Sequence, residues 1–404
     1  MSVAYFTNIQ TRQDISGHYS IKESKDDLGS YSFGEMGCEH PMDPQRLRMV
    51  HSLILSLGLG PFLTIHPSLP CGEDSLRFFH SREYLDFLAN VNDEKIKSKI
   101  VSIEQTRMHN IGPVADGIDC TAFPGVWEYN RTIAGASVSG ANLIRTGKAR
   151  IAINWSGGMH HAKISNAAGF CYLNDCVLAI LELLKSMNRV LYIDMDFHHG
   201  DGVEEAFYIT DKVFTLSFHR FAPRVFPGTG CLSDTGAGVG KGYSANVPLL
   251  AGIGDIAYFE IFQKVVGAVV AQFNPEAIVL QAGADSLVGD AVGIESGGFN
   301  ISTKGHSKCV EYVKNLHIPL LVLGGGGYSK TSVAKCWAIE TGILCGKNIF
   351  QTSVPETDFY FKEYKDKSLH ISGKKDCVDF NSPGRIELIV RTVLSNIGTS
   401  ASSS

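Results

Sequence analysis

The stretch Arg189–Gly202, RVLYIDMDFHHGDG, decides the fold. It opens on an apolar run, Val190-Leu191-Tyr192-Ile193, and then turns polar with Asp194, Asp196, His198, His199 and Asp201. A continuous apolar run reads as a strand buried on both faces, the habit of a parallel sheet. Side chains alternate along a strand, so Asp194, Asp196 and His198 are expected on one side of it. Two carboxylates and an imidazole converging at a strand's end form a place for a divalent cation, since aspartate and histidine both ligate zinc. Burying that much charge without a metal or partners would cost many kcal/mol. The other reading, a surface loop of acids with stray histidines, does not suit so apolar a preceding strand.

The same pattern recurs outward from this stretch. Strand Arg150–Trp155 runs into Ser156-Gly157-Gly158-Met159-His160-His161, and a helix over Asn174–Met187 follows. Strand Lys212–Phe218 ends at His219. Helix Ile256–Phe273 leads to strand Ala277–Ala282 and then to Gly283-Ala284-Asp285. Helix Gly305–Asn315 leads to strand Leu320–Leu323, four glycines and Tyr328. Strands alternating with helices predict an α/β fold, a mostly parallel sheet with helices on both faces. Every polar cluster follows directly after a strand. Sites in such sheets form outside the carboxyl ends of the strands, so groups far apart in sequence are expected to meet at one edge.

Before Ala149 the reading is less regular. Val3–Asn8 and Leu63–His66 read as strands, and Ser16–Glu35 as a loop. Met49–Leu57, Ser75–Asn90 and Trp127–Thr146 read as helices, with Gly135 and Gly140 marking close packing. Arg107–Thr121 reads as a long surface loop, of the kind that tends to carry function. The terminal Ser-Ala-Ser-Ser-Ser is expected to be disordered.

Composition bounds the rest. With 404 residues, 44% hydrophobic and 19% charged, the chain can bury a large core. A net charge of −5 gives no global basic field for nucleic acid or a membrane surface. No signal peptide or membrane-spanning stretch is read from it. The 10 cysteines are scattered without CxxC pairs and read as free thiols in a reducing compartment.

The clustered groups suit amide hydrolysis. Asp196, His198 and Asp285 would supply three metal ligands and leave a fourth position open, the mark of a catalytic zinc site. Zinc lowers the pKa of a bound water to about 7 and polarises a carbonyl. His160 and His161 can shuttle protons, with Asp194 and Asp201 as the carboxylates that orient them. The Tyr328 phenol can donate to a developing oxyanion. Each signal alone has a plainer reading. A His-His pair is often packed or solvated, a four-glycine turn can be a strand-end kink or phosphate nest, and Asp285 could be a helix N-cap. Phe170 and Phe226 lie in glycine-containing loops but could also be core residues. Recurrence at strand ends favours one shared site.

WSGGMHHAK, SNAAGFCYLND, VLYIDMDFHHGDGVEEAFY, FPGTG, AGADSL and LGGGGY resemble the zinc-dependent histone deacetylases, most closely the class I branch. HPMDPQRLRM and Lys304-Gly305-His306 match as well, and the likeness runs from Val3 to about Ser372. It implies an arginase/deacetylase-like single domain around an eight-stranded parallel sheet, spanning 1–376, with 377–404 as a C-terminal helix or extension. It implies hydrolysis of N-ε-acetyl-lysine in histone tails and other proteins, in the nucleus and, as a second location, the cytoplasm. By position it puts the metal on Asp196, His198 and Asp285. It pairs His161, the general base and acid, with Asp201, and pairs His160 with Asp194. Tyr328 becomes the oxyanion donor. Phe170, Phe226 and Gly169 would wall the lysine tunnel, and Asp119 would be a rim carboxylate for substrate N–H groups. Met159 and Arg46 would lie near an acetate-receiving pocket. Two potassium sites are implied, one at Asp194, Asp196, His198, Ser217 and Phe218 and one at Phe207, Thr210, Val213 and Tyr243.

Departures from the family pattern fall at the rim. Gly112–Gly117 and Ile294–Gly297 look like insertions, and Phe221–Val225 differs from the usual class I segment. Asp43, Ala291 and Thr331 stand where co-repressor-dependent members carry basic residues for an inositol phosphate. That ligand is therefore not expected here, although Lys330 could partly substitute. Co-repressor-like proteins remain candidate partners. A small acetylated amine such as an acetylpolyamine is the alternative substrate, and a non-catalytic acetyl-lysine-binding scaffold is the third reading.

Overall fold

The computed structural model describes residues 3–7, 9, 11–13, 19–21, 40–91, 95, 102–113 and 117–397. Its strands are β1 (Val3–Phe6), β2 (Thr11–Gln13), β3 (Tyr19–Ile21), β4 (Leu63–His66), β5 (Ile151–Asn154), β6 (Val190–Asp194), β7 (Val213–Arg220), β8 (Ser244–Leu249), β9 (Ala277–Gln281) and β10 (Leu320–Leu323). Eight of them form one sheet in the order β4-β1-β5-β10-β9-β6-β7-β8, and every pairing in it is parallel. β2 and β3 form a separate antiparallel pair. The single α/β domain with an eight-stranded parallel sheet is the architecture the sequence predicts.

The central strands of the sheet are buried on both faces, because they carry apolar side chains in both directions, whereas the edge strand β4 is partly exposed. Leu191 and Ile193 of β6, Ile278 and Leu280 of β9, and Leu320 and Val322 of β10 join one core. Their neighbours Val190, Tyr192, Ala277, Val279, Leu321 and Leu323 join another on the opposite face. The second core is closed by the helices Val126–Arg145 and Asp175–Leu183. The first is closed by the helices Gln45–Ser56, Asp255–Phe273, Thr303–Asn315 and Lys330–Leu344. Helix Pro383–Asn396 adds Ile389 and Val393 to that same core.

Several expectations need correction. The helix read over Ser75–Asn90 is two, Glu73–Leu76 and Arg82–Asn90. Between them His80 is drawn into the core, where its Nε2 accepts from Asn174 N–H at 3.0 Å, and Ser81 caps the second helix. Arg107–Thr121 is not all surface loop. Helix Ile103–His109 starts on a Ser102/Gln105 capping box, and Ile111 pairs with Cys120 in full burial. That helix is too short to display an apolar period. Within Ser16–Glu35, Tyr19–Ile21 is a strand, and the rest of that segment lies outside the described residues, as does the serine-rich terminus. Strand β8 escapes reading because Asn246 and Pro248 interrupt its apolar run, and a proline suits the edge position it occupies. Helix Lys330–Leu344 is buried continuously from Val333 to Leu344 and so shows no amphipathic period. Helix Asp255–Phe273 is, by length and composition, long and apolar enough to cross a bilayer, contrary to the sequence reading. In this fold its Tyr258, Ile261, Phe262, Val265, Val266 and Val269 are fully buried. All nine described cysteines are free thiols, as expected.

Gly135 shows how tightly the helices seat. A Cβ there would lie 1.9 Å from the Leu69 carbonyl oxygen, an overlap only backbone movement can relieve. Gly135→Ala is expected to cost about 1–3 kcal/mol, read as a lower denaturant midpoint. Gly384→Ala, where a Cβ meets nothing within 4 Å, should leave the midpoint unchanged or slightly raised.

Candidate active site

Four adjacent strands, β5, β10, β9 and β6, deliver the polar clusters to one edge of the sheet. Beyond β6 the chain carries Asp196 and His198, and beyond β9 it carries Asp285. His198 Nδ1 lies 3.0 Å from Asp285 Oδ2 and 3.2 Å from Asp196 Oδ1. One ligand atom from each of the three falls within 4.8 Å of the others, and all three residues are buried. Each carboxylate is aimed by N–H donors. Asp196 Oδ2 accepts from Gln281 Nε2 and Gly326 N–H, both at 2.8 Å, and Asp285 Oδ1 accepts from Phe197 N–H at 2.9 Å. Burial and the nearby Asp196 charge push the Asp285 carboxyl up. Two buried, mutually repelling carboxylates beside one imidazole nitrogen are the donor set a divalent cation such as zinc neutralises.

Asp194 does not share this position. Its Oδ2 accepts from Tyr192 Oη at 2.7 Å and His160 Nδ1 at 2.8 Å, and its Oδ1 from Asp196 N–H at 3.1 Å. The expected alternation fails because β6 ends at Asp194, and beyond it the backbone turns.

The two histidines follow β5. Their ring centroids are 3.9 Å apart, and His161 Nδ1 contacts Asp201 Oδ1 at 2.7 Å. At His160 burial works against the charged form, but Asp194 and Asp196 outweigh it and raise the pKa to about 9. At His161 burial and the neighbouring His160 prevail over Asp201 and lower it to about 3. The two rings are thus shifted in opposite directions, His160 toward the charged form and His161 toward the neutral one. Lys163, which the sequence reading missed, binds Asp201 Oδ2 at 2.7 Å.

The walls come from loops. Phe226 stands edge-on to His161, with centroids 4.9 Å apart, and Phe170 stands edge-on to Tyr328 at 6.0 Å. Gly169 has φ +52°, and a Cβ on it would sit 2.4 Å from the His161 ring, so glycine is needed there. Asp119 holds this loop, accepting from Gly169 N–H at 2.7 Å and from Asn110 Nδ2 at 2.5 Å. Both its oxygens therefore serve the protein's own chain, a task the rim assignment did not include. Tyr328 is fixed by Asp290 Oδ2, which accepts its N–H at 2.8 Å. Arg46 donates to Gly327 O at 2.7 Å and Gly325 O at 2.9 Å. Burial and Asp285 raise the Tyr328 phenol above its ordinary value, so it stays protonated. Arg46 and Met159 also line a small internal cavity with His40, Met42, Tyr129 and Ser156.

The residues implied for potassium lie towards opposite ends of β7. Ser217 is in register with Asp194, and Phe218 follows it. Val213 begins the strand, and the Tyr243 carbonyl accepts from Thr215 N–H near that end. Phe207 closes the helix Asp201–Phe207, and its carbonyl accepts from Thr210 N–H. At the rim, the Ile294–Gly297 segment is partly helical, within Ala291–Glu295, and Asp290 caps that helix. Asp290, Gln281 and Lys163 went unread because each acts only through contacts made in the folded chain. The signal that could have flagged Asp290 is its place after Gly289, just beyond the Asp285 loop.

The family model for the histone deacetylase domain matches residues 40–344. Histone deacetylase 19 of Arabidopsis thaliana is 44% identical over 371 residues, 92% of this chain and 70% of the relative. Histone deacetylase RPD3 of Saccharomyces cerevisiae is 42% identical over 372 residues, 92% of this chain and 82% of the relative. Histone deacetylase 1 of Homo sapiens is 42% identical over 387 residues, 96% of this chain and 76% of the relative. With motifs, fold and site geometry in agreement, the chain belongs to the histone deacetylase family and is similar to its class I members.

Proposed function

We propose that the chain is a zinc-dependent lysine deacetylase acting on N-ε-acetyl-lysine in histone tails and other proteins, with the nucleus as its main place of work. The observation that carries this reading is the buried Asp196–His198–Asp285 cluster beside the His161–Asp201 pair. A divalent cation held by these three residues supplies Lewis acidity to the amide carbonyl and to water. His161, neutral and oriented by Asp201, takes a proton from the attacking water and passes it to the leaving lysine amine. His160, held charged by Asp194, contributes positive potential beside it. The Tyr328 hydroxyl donates to the oxygen on which negative charge develops. Phe170 and Phe226 offer an apolar slot to the uncharged acetyl-lysine stem, and Asp119 keeps lone pairs for substrate N–H groups. Met159 and Arg46 would border the space that receives acetate. Buried oxygens of Asp194 and Ser217 suit a hard cation such as potassium, with a second site at Phe207, Thr210, Val213 and Tyr243.

The first test compares deacetylation of an acetyl-lysine peptide and of an acetylated polyamine. The peptide should be turned over faster, and Asp285→Ala should lose both the activity and most of the bound zinc by elemental analysis. Full zinc and full activity in that variant would refute the metal assignment.

Tyr328→Phe should keep peptide binding while kcat falls about 10²–10³-fold. His161→Ala should lose about 10²–10⁴-fold and His160→Ala less. The reverse order of the two histidine variants would exchange their roles.

Activity should not depend on inositol phosphate. Lys330, next to Thr331 in the sequence, already binds Asp43 Oδ2 at 2.9 Å and Gln45 Oε1 at 2.8 Å. Adding inositol hexakisphosphate to the enzyme, alone or with co-repressor domains, should leave turnover unchanged. Salt-sensitive activation would contradict this.

A further inference from the structure

Behind the metal cluster lies a second buried group that the chemistry above does not use. His306, on helix Thr303–Asn315, and Glu340, on helix Lys330–Leu344, are both fully buried. His306 Nδ1 lies 2.5 Å from Glu340 Oε1, and its Nε2 lies 3.0 Å from the Gly283 carbonyl oxygen. A carbonyl only accepts, so Nε2 carries a proton and donates. The Glu340 carboxylate holds the ring in the orientation that makes this possible.

Gly283 is a sensitive point to hold. It opens the turn Ala284–Ser286 that carries Asp285. A Cβ on it would fall 2.1 Å from Asp196 Oδ2, so its backbone packs directly against a second ligand. The preceding carbonyl, Ala282 O, accepts from Trp337 Nε1 at 2.9 Å, and Trp337 lies one helical turn from Glu340. Two successive carbonyls between β9 and the metal turn are thus anchored from the same helix, one directly and one through His306.

Cys336 is also close, with Sγ 3.6 Å from His306 Nδ1 and 3.4 Å from Glu340 Oε1. The three could be mistaken for ligands of a second ion. The 2.5 Å separation of Nδ1 and Oε1 is that of a hydrogen bond between the two side chains.

We propose that His306 and Glu340 are positioning residues which, through the Gly283 carbonyl, set the Asp285 turn and so the affinity of the centre for its metal. This rests on the metal-hydrolase reading above. The test measures the Zn²⁺ dissociation constant by chelator competition, KM for an acetyl-lysine peptide with metal saturating, and Tm of the metal-free protein. Glu340→Gln should weaken Zn²⁺ about 10- to 100-fold, as loss of an outer partner does, with KM unchanged. Val313→Ala, a core truncation on the helix that carries His306, should lower Tm without changing the metal constant. Should Glu340→Gln fail to fold, Glu340→Asp, which keeps the charge but withdraws it by one methylene, should show the same metal weakening.

Wild-type Zn²⁺ affinity in the Glu340 variant overturns the pair alone. Equal weakening in Val313→Ala reduces it to general stability and overturns it too. A second zinc equivalent, lost in Glu340→Gln while the first binds normally, would make the cluster a metal site in its own right and overturn the proposal. A wild-type protein that takes up no divalent ion would overturn the metal reading and the pair with it.

Discussion

Asp196 is the constraint around which the site is assembled. A fully buried carboxylate is costly unless every lone pair is met, and here donors converge on it from three segments. Gln281 reaches it from β9, Gly326 N–H from the loop after β10, and His198 N–H from its own turn. These contacts leave no room for side chains nearby. A Cβ at Gly325 or Gly326 would lie 3.0 Å from Asp196 Oδ2, and the one at Gly326 would also lie 2.1 Å from Asp285 Oδ2. The middle two of the four glycines before Tyr328 are therefore required by the two carboxylates they approach, while Gly324 packs on the Trp155 carbonyl and Gly327 on Val333. Placing Tyr328 over the site and keeping those carboxylates dry are one packing problem.

Charge is divided around that centre by position. The adjacent histidines have the same chemistry, yet Asp194 sits at the buried end of β6 and Asp201 begins a helix beside Lys163. His160 faces Asp194 and also lies near Asp196, whereas His161 faces Asp201 and feels the neighbouring His160. A pair that looks redundant in sequence becomes one ring pushed toward the charged form and one toward the neutral form because their surroundings differ.

The rim is built differently from the floor. Asp119 ties the Gly169 loop to Asn110, so the segment that carries an apparent insertion also braces the loop that holds Phe170. Asp290 caps the short Ala291–Glu295 helix and accepts from Tyr328 and Ser329 N–H. The Ala291–Glu295 helix is thus linked to the backbone of Tyr328 through one carboxylate.

The alternation of apolar strands with helices, and the arrival of polar residues directly after each strand, determined the parallel sheet and the edge where its chemistry lies. Both are local patterns that burial imposes on a chain. That Asp196, His198 and Asp285 would be brought together was legible for the same reason. What tertiary structure alone decided was pairing and support. No period in the sequence distinguishes the helix Lys330–Leu344, buried from Val333 onward, from other apolar runs, or shows that His306 meets Glu340 and Gly283. The place of Asp194 was misread because strand alternation stops where the strand does. Asp290, Gln281, Lys163 and Glu340 are ordinary polar residues until folding sets each within hydrogen-bond reach of a distant partner, and a contact across dozens of residues leaves no mark on the neighbours along the chain.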